Sequence, residues 1–159
     1  MKLDLRKLKL RKVNETLQSI DLKRNNKSYT ILNPEGNHAI CAGLTNDIDV
    51  TVKGHVGYYC GGMNQNANIT INGNAGTGLG ENMMSGLIHV KGNVSQSAGA
   101  TAHGGTIVIE GDASSRCGIS MKGIDIIVKG SVGHMSGFMA QAGTLLICGD
   151  AGDALGDSI

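Results

Sequence analysis

Val50-Thr-Val-Lys-Gly54-His-Val-Gly57-Tyr-Tyr-Cys-Gly61 is followed nineteen residues on by Ile69-Thr-Ile-Asn-Gly73-Asn-Ala-Gly76-Thr-Gly-Leu-Gly80. Both stretches read as two β-branched residues at alternate positions, then Gly-x-x-Gly-x-x-x-Gly. The same step continues through Gly54, Gly73, Gly92, Gly111, Gly130 and Gly149. A second column lies seven residues on, at Gly61, Gly80, Gly99, Gly118, Gly137 and Gly156. Self-similarity at a fixed period of this size marks a solenoid, in which each repeat buries its apolar face against the next.

A third glycine column stands at Gly86, Gly105 and Gly143, with Gly123 one residue early. Steps of seven, six and six residues cut each nineteen-residue unit into three sides. Glycine at the joints is expected to supply the positive φ of sharp corners. Four residues before each first-column glycine stand Val50, Ile69, Ile88, Ile107, Ile126 and Leu145, and two before it stand Val52, Ile71, Val90, Ile109, Val128 and Ile147. That alternation is a strand with one buried face. The expected fold is all-β, a right-handed single-stranded parallel β-helix with three sides and six turns, about 25–30 Å long at the sheet spacing.

The column two residues after the first glycine alternates as Val56, Ala75, Val94, Ala113, Val132 and Ala151. Wherever it is Ala, the residue two before the glycine is Ile, and wherever it is Val, that residue is Val. The two columns therefore fill one core layer at constant volume, as close packing requires. A leucine-rich repeat lacks its Leu and Asn ladder here, nineteen is not a multiple of the hexapeptide period, and the aspartate repeat of a calcium-binding roll is missing.

Around the coil the composition is uneven. The first thirty residues hold nine Lys and Arg against three acids, leaving five against ten in the rest. No aromatic residues interleave these charges for base stacking, so a solvated helix or a docking arm for an acidic neighbour is expected, not nucleic-acid binding. Residues 1–30 read as a basic strand and helix cap, and 31–159 as the coil. Within the cap, Lys12 to Asp21 is expected to be helical with Val13, Leu17 and Ile20 on one face, and Tyr29 to Leu32 extended. Gly36 and Gly43 repeat the seven-residue step, so a rudimentary turn is expected there. Ile159 stops partway round the sixth turn, which suggests a truncated chain or a partner over that edge. No stretch approaches a signal peptide or a membrane span, and the four cysteines are expected to be reduced thiols of a cytoplasmic protein.

Gly-x-x-Gly-x-x-x-Gly, complete at Gly54-Gly57-Gly61, Gly73-Gly76-Gly80, Gly130-Gly133-Gly137 and Gly149-Gly152-Gly156, resembles the GXGXG domain; Ser95 and Ser114 replace the middle glycine. That domain forms the C-terminal β-helix of the glutamate synthase large subunit and also occurs as a standalone subunit of N-methylglutamate synthase-type enzymes. A related form is found in formylmethanofuran dehydrogenase, as one of the chains of that complex. Gly80-Glu-Asn-Met-Met-Ser-Gly86, Ser97-Ala-Gly-Ala-Thr-Ala-His-Gly-Gly105, Cys117-Gly-Ile-Ser-Met-Lys-Gly123 and Cys148-Gly-Asp-Ala-Gly-Asp-Ala-Leu-Gly156 are most similar to the standalone N-methylglutamate synthase-type form. The resemblance covers residues 28–159. It implies a structural chain without catalytic residues or cofactor of its own, holding a glutaminase-like subunit and an FMN-synthase-like subunit together, with FMN in the latter.

Assigning each residue to a column and a turn tests for chemistry. Cys60 and Cys117 share a column but lie three turns apart, roughly 14 Å at the sheet spacing and beyond disulfide reach. The five histidines occupy scattered columns without metal-ligand spacing. Gly76-Thr-Gly-Leu-Gly80 has Glu81 where a dinucleotide loop needs its last glycine. Ser115, His134 and Asp153 fall in one column on three successive turns, a nucleophile, base and carboxylate in order that raises an esterase-like alternative. The same column holds Tyr58, Thr77 and Gln96 on earlier turns, which favours a plain polar ladder. For partner contact, Met83, Met84, Met121, Phe138 and Met139, with Arg116 and Lys122 beside them, mix apolar and polar groups as interfaces do; the methionines suit filling the third corner equally well.

Overall fold

The computed structural model describes residues 1–19 and 27–159. Strand β1 (Lys2–Asp4) and helix α1 (Leu10–Gln18) precede β2 (Ser28–Leu32), β3 (Asp49–Lys53), β4 (Asn68–Ile71), β5 (Leu87–Val90), β6 (Thr106–Ile109), β7 (Lys122–Val128) and β8 (Ala142–Ile147). All eight strands lie in one parallel sheet in chain order. Each strand is thus one side of one turn, and the chain winds as a right-handed parallel β-helix.

The register steps by the sequence period, Val50↔Ile69, Ile69↔Ile88 and Ile88↔Ile107, so identical inward positions stack. On the second side, Val56, Ala75, Val94, Ala113, Val132 and Ala151 form a second parallel ladder. Val52, Ile71, Val90, Ile109 and Val128 are fully buried, and their partners Val56 to Val132 nearly so, as one filled layer demands. On the third side the backbone alternates: Tyr59, Gly61 and Met63 are left-handed, and the trio recurs each turn to Ala154, Gly156 and Ser158. The Tyr59 and Met63 N–H groups donate forward to Thr77 and Glu81, and the Gly61 N–H backward to Ile40.

The glycine columns differ in their reason for being glycine. All six of the second column, φ +62° to +70°, are left-handed as expected. In the first column only Gly54 has positive φ. Gly73, Gly92, Gly111, Gly130 and Gly149 are glycine because a Cβ there would run into the preceding turn, as at Gly73, 2.5 Å from the Gly54 carbonyl oxygen. The early Gly123 coincides with a register irregularity in β7, between Lys122↔Ala142 and Asp125↔Thr144, which turns Ile124 into the core.

The cap also departs from expectation. The helix begins at Leu10, because Leu10 as well as Val13 and Leu17 packs on the core, and it ends at Gln18, with Ser19 extended. Ile20 and Asp21 lie outside the described residues. Asn14 Nδ2 donates to the Ala39 carbonyl, and its Oδ1 accepts the Cys41 N–H at 3.0 Å, which pins α1 to the first turn. That turn exists, but Cys41 takes the left-handed place of Gly61 and Gly43 that of Met63, since Ala39, Cys41 and Gly43 repeat the trio. Strand β2 crosses the 30/31 boundary, and Leu3, Val13 and Leu17 belong to the same core as the coil. Among the described residues no helix is long and apolar enough to cross a membrane.

Candidate functional site

Since the coil is filled inside by aliphatic columns, chemistry has to come from corners and outward columns. The column just after the first glycine, His55, Asn74, Asn93, Asp112, Ser131 and Asp150, carries a side-chain acceptor on every turn. His55 Nδ1 accepts the Asn74 N–H at 2.9 Å. Asn74, Asn93 and Asp112 each accept the next member's N–H at 2.8 Å, and Ser131 Oγ accepts that of Asp150 at 2.9 Å. At Gly92, Gly111 and Gly130 a Cβ would fall on the Asn74, Asn93 or Asp112 oxygen making this bond. The glycine column thus makes room for the acceptor column. Hydropathy gives no signal of this ladder, whose members share only an acceptor atom; reading the column for acceptors would have found it.

On the outer face of the sheet, Glu110 bridges two turns. Its Oε1 lies 2.7 Å from His89 Nε2, and its Oε2 2.8 Å from Lys129 Nζ. The hydrogen bond from Lys129, then that from His89, holds the Glu110 carboxyl below the usual range.

The proposed triad is stacked but not assembled. Ser115 is buried, whereas His134 and Asp153 are exposed, and the column is joined through the backbone: Arg116 N–H donates to the His134 carbonyl and Met135 N–H to that of Asp153. Among the described residues no side-chain hydrogen bond links the three.

Of the expected contact residues, Met83 and Met121 are corrected to core: they are buried in the inward column Asn64, Met83, Ala102, Met121. Met83 Cε and Met121 Cε reach over Gly105 and Gly143, so the sulfur side chains fill the third corner. Met84 and Met139 remain exposed at 45% and 49%, Lys122 is exposed, and Arg116 and Phe138 are half-buried. In the last turn Leu145, Ile147, Leu155 and Ile159 line an open hollow of about 480 Å³.

The four cysteines are free thiols. Burial pushes Cys60 and Cys117 up to about 12, and raises Cys41 strongly with help from neighbouring Cys60, while Cys148 is exposed. Among the described residues no three His, Cys, Asp or Glu side chains gather as metal ligands would.

No protein-family model and no solved structure matches the chain. Among curated proteins it is similar to "Protein GlxC" of Rhizobium meliloti (strain 1021), 54% identical over 86 residues. The match covers 54% of this chain and 38% of the relative, so the shared part is well under half of that protein. Over this stretch, the chain is a homologue of Protein GlxC.

Proposed function

We propose that the chain is a structural β-helix subunit of a cytoplasmic glutamate synthase-like complex, an FMN-dependent amidotransferase or oxidoreductase of the glutamate or N-methylglutamate synthase type. In this reading it catalyses nothing itself and holds a glutaminase-like and an FMN-synthase-like subunit in register. The observation that carries it is the unbroken nineteen-residue glycine step with its resemblance to the GXGXG domain. The high identity to Protein GlxC supports it by placing part of the same repeat in a longer protein. The shape suits the role, because the inward columns repeat while the outward ones change residue at every turn, so each turn offers a neighbour a different surface on a stiff rod. Met84, Met139 and Phe138, with Arg116 and Lys122, are the proposed contacts on the third corner.

Co-expression with glutaminase-like and FMN-synthase-like chains tests this. The expected result is a complex that survives gel filtration, with flavin absorbance and glutamine-dependent turnover in the complex and neither in this chain alone. Stoichiometric flavin binding by the isolated chain would overturn it. So would fluorophosphonate labelling of Ser115 with ester cleavage lost in Ser115→Ala.

A further inference from the structure

The outward face of the sheet carries a charge pattern that neither the coil nor the proposed scaffold role uses. Along the coil its central column runs Thr51, Thr70, His89, Val108, Ile127 and Leu146, in register from strand to strand. It changes from hydroxyl to apolar, and Leu146 is 51% exposed. The flank before it holds Asp49, Asn68 and Asp125, and the flank after it Lys53, Asn72 and Lys129, all exposed. The rows therefore read Asp49 with Lys53, Asn68 with Asn72, and Asp125 with Lys129, acid always on the same side.

Such a face is complementary to itself. A two-fold axis lying between two copies and parallel to the coil carries each row onto the same row reversed. Asp125 then faces the Lys129 position of the second copy, Asp49 faces Lys53 and Asn68 faces Asn72, while Val108, Ile127 and Leu146 meet their own images. A two-fold running along the strands would instead lay acid flank on acid flank and lysine on lysine, so the charges select the first. Lys2, which pairs with Thr30 at the N-terminal end of the same column, meets its own image and restricts close contact to β3 through β8. We propose that the outer sheet face is a homodimer interface, two copies packing face to face with their coils parallel and their rows matched. Aligned sheets pack about 10 Å apart, within the span of Lys129 and Asp125 together. The strip is about 13 Å by 24 Å at strand dimensions, which puts the buried area on the order of 400 Å² per copy. That is below the size of permanent interfaces and fits a weak, concentration-dependent dimer.

Sedimentation velocity of the whole chain, from about 5 µM to 1 mM at low salt, reads this directly. The expected result is a monomer–dimer equilibrium without larger species. Ile127→Lys should weaken it roughly tenfold or more, since it buries two cations against each other. Leu146→Lys, at a more exposed position, should do the same if circular dichroism shows Ile127→Lys to be misfolded. Asp125→Lys and Lys129→Asp should each weaken it about three- to tenfold, and the two in one chain should restore it. That recovery belongs to row-matched packing and not to this face binding a different protein. A monomer throughout, a dimer indifferent to Ile127→Lys and Leu146→Lys, species beyond the dimer, or no recovery in the double reversal would each overturn the proposal.

Discussion

Gly99 and Gly111 are both glycine at coil corners, for different physical reasons. Gly99 has φ +67°, and a Cβ would lie 2.5 Å from Ile126 Cδ1. Gly99→Val therefore combines a left-handed β-branched residue with overpacking, and a loss of about 3 kcal/mol or more is expected in thermal melts. The thiols give a second prediction at this scale. Below about pH 9, Cys60 and Cys117 are neutral both folded and unfolded. From there to about 12 the unfolded chain ionises while the native thiols stay protonated, so stability present below pH 9 is lost as pH rises. The slope is about 1.4 kcal/mol per pH unit per thiol, and Cys117→Ala should flatten it in alkaline urea titrations. In the native chain a thiol reagent should modify Cys148 alone, the other three being buried.

Among the elements, the strands and the second-side ladder were legible because their inward residues are aliphatic at period two and their volumes compensate. Ala113→Val should destabilise by overpacking, and Ile109→Val in the same chain should soften it, with a coupling above about 0.5 kcal/mol in a double-mutant cycle. Additive effects would mean the two columns do not share a layer. The corner ladder was not legible, since its side chains differ in charge, size and hydropathy, and neither was the fate of Met83 and Met121, whose column also contains Asn64 and Ala102. The helix start was misplaced because Leu10 lies among alternating Leu and Lys, and only its contact with the core shows that it belongs to α1. Gly111→Ala and Asn93→Ala break the same hydrogen bond to the Asp112 N–H, one by displacing the acceptor and one by deleting it. Each should cost about 1–2 kcal/mol, and together less than the sum.

For the molecule as a whole, contacts run almost entirely between adjacent turns, so damage should stay local. Leu17→Ala, at the buried face of the cap, should cost about 2–4 kcal/mol. Hydrogen exchange should then show amide protection falling in β2 and β3 well before β6 and β7; a uniform fall would mean the rod unfolds as one unit. The corner ladder adds a direction to this arrangement. Each acceptor, from His55 to Ser131, belongs to the earlier turn and each N–H it receives to the later one. A chain leaving the ribosome N-terminus first thus finds every corner acceptor already in place when its donor emerges, so the rod can lengthen vectorially behind synthesis, each finished turn templating the next. Nascent chains stalled after β5 should already protect the Asn74 and Asn93 amides.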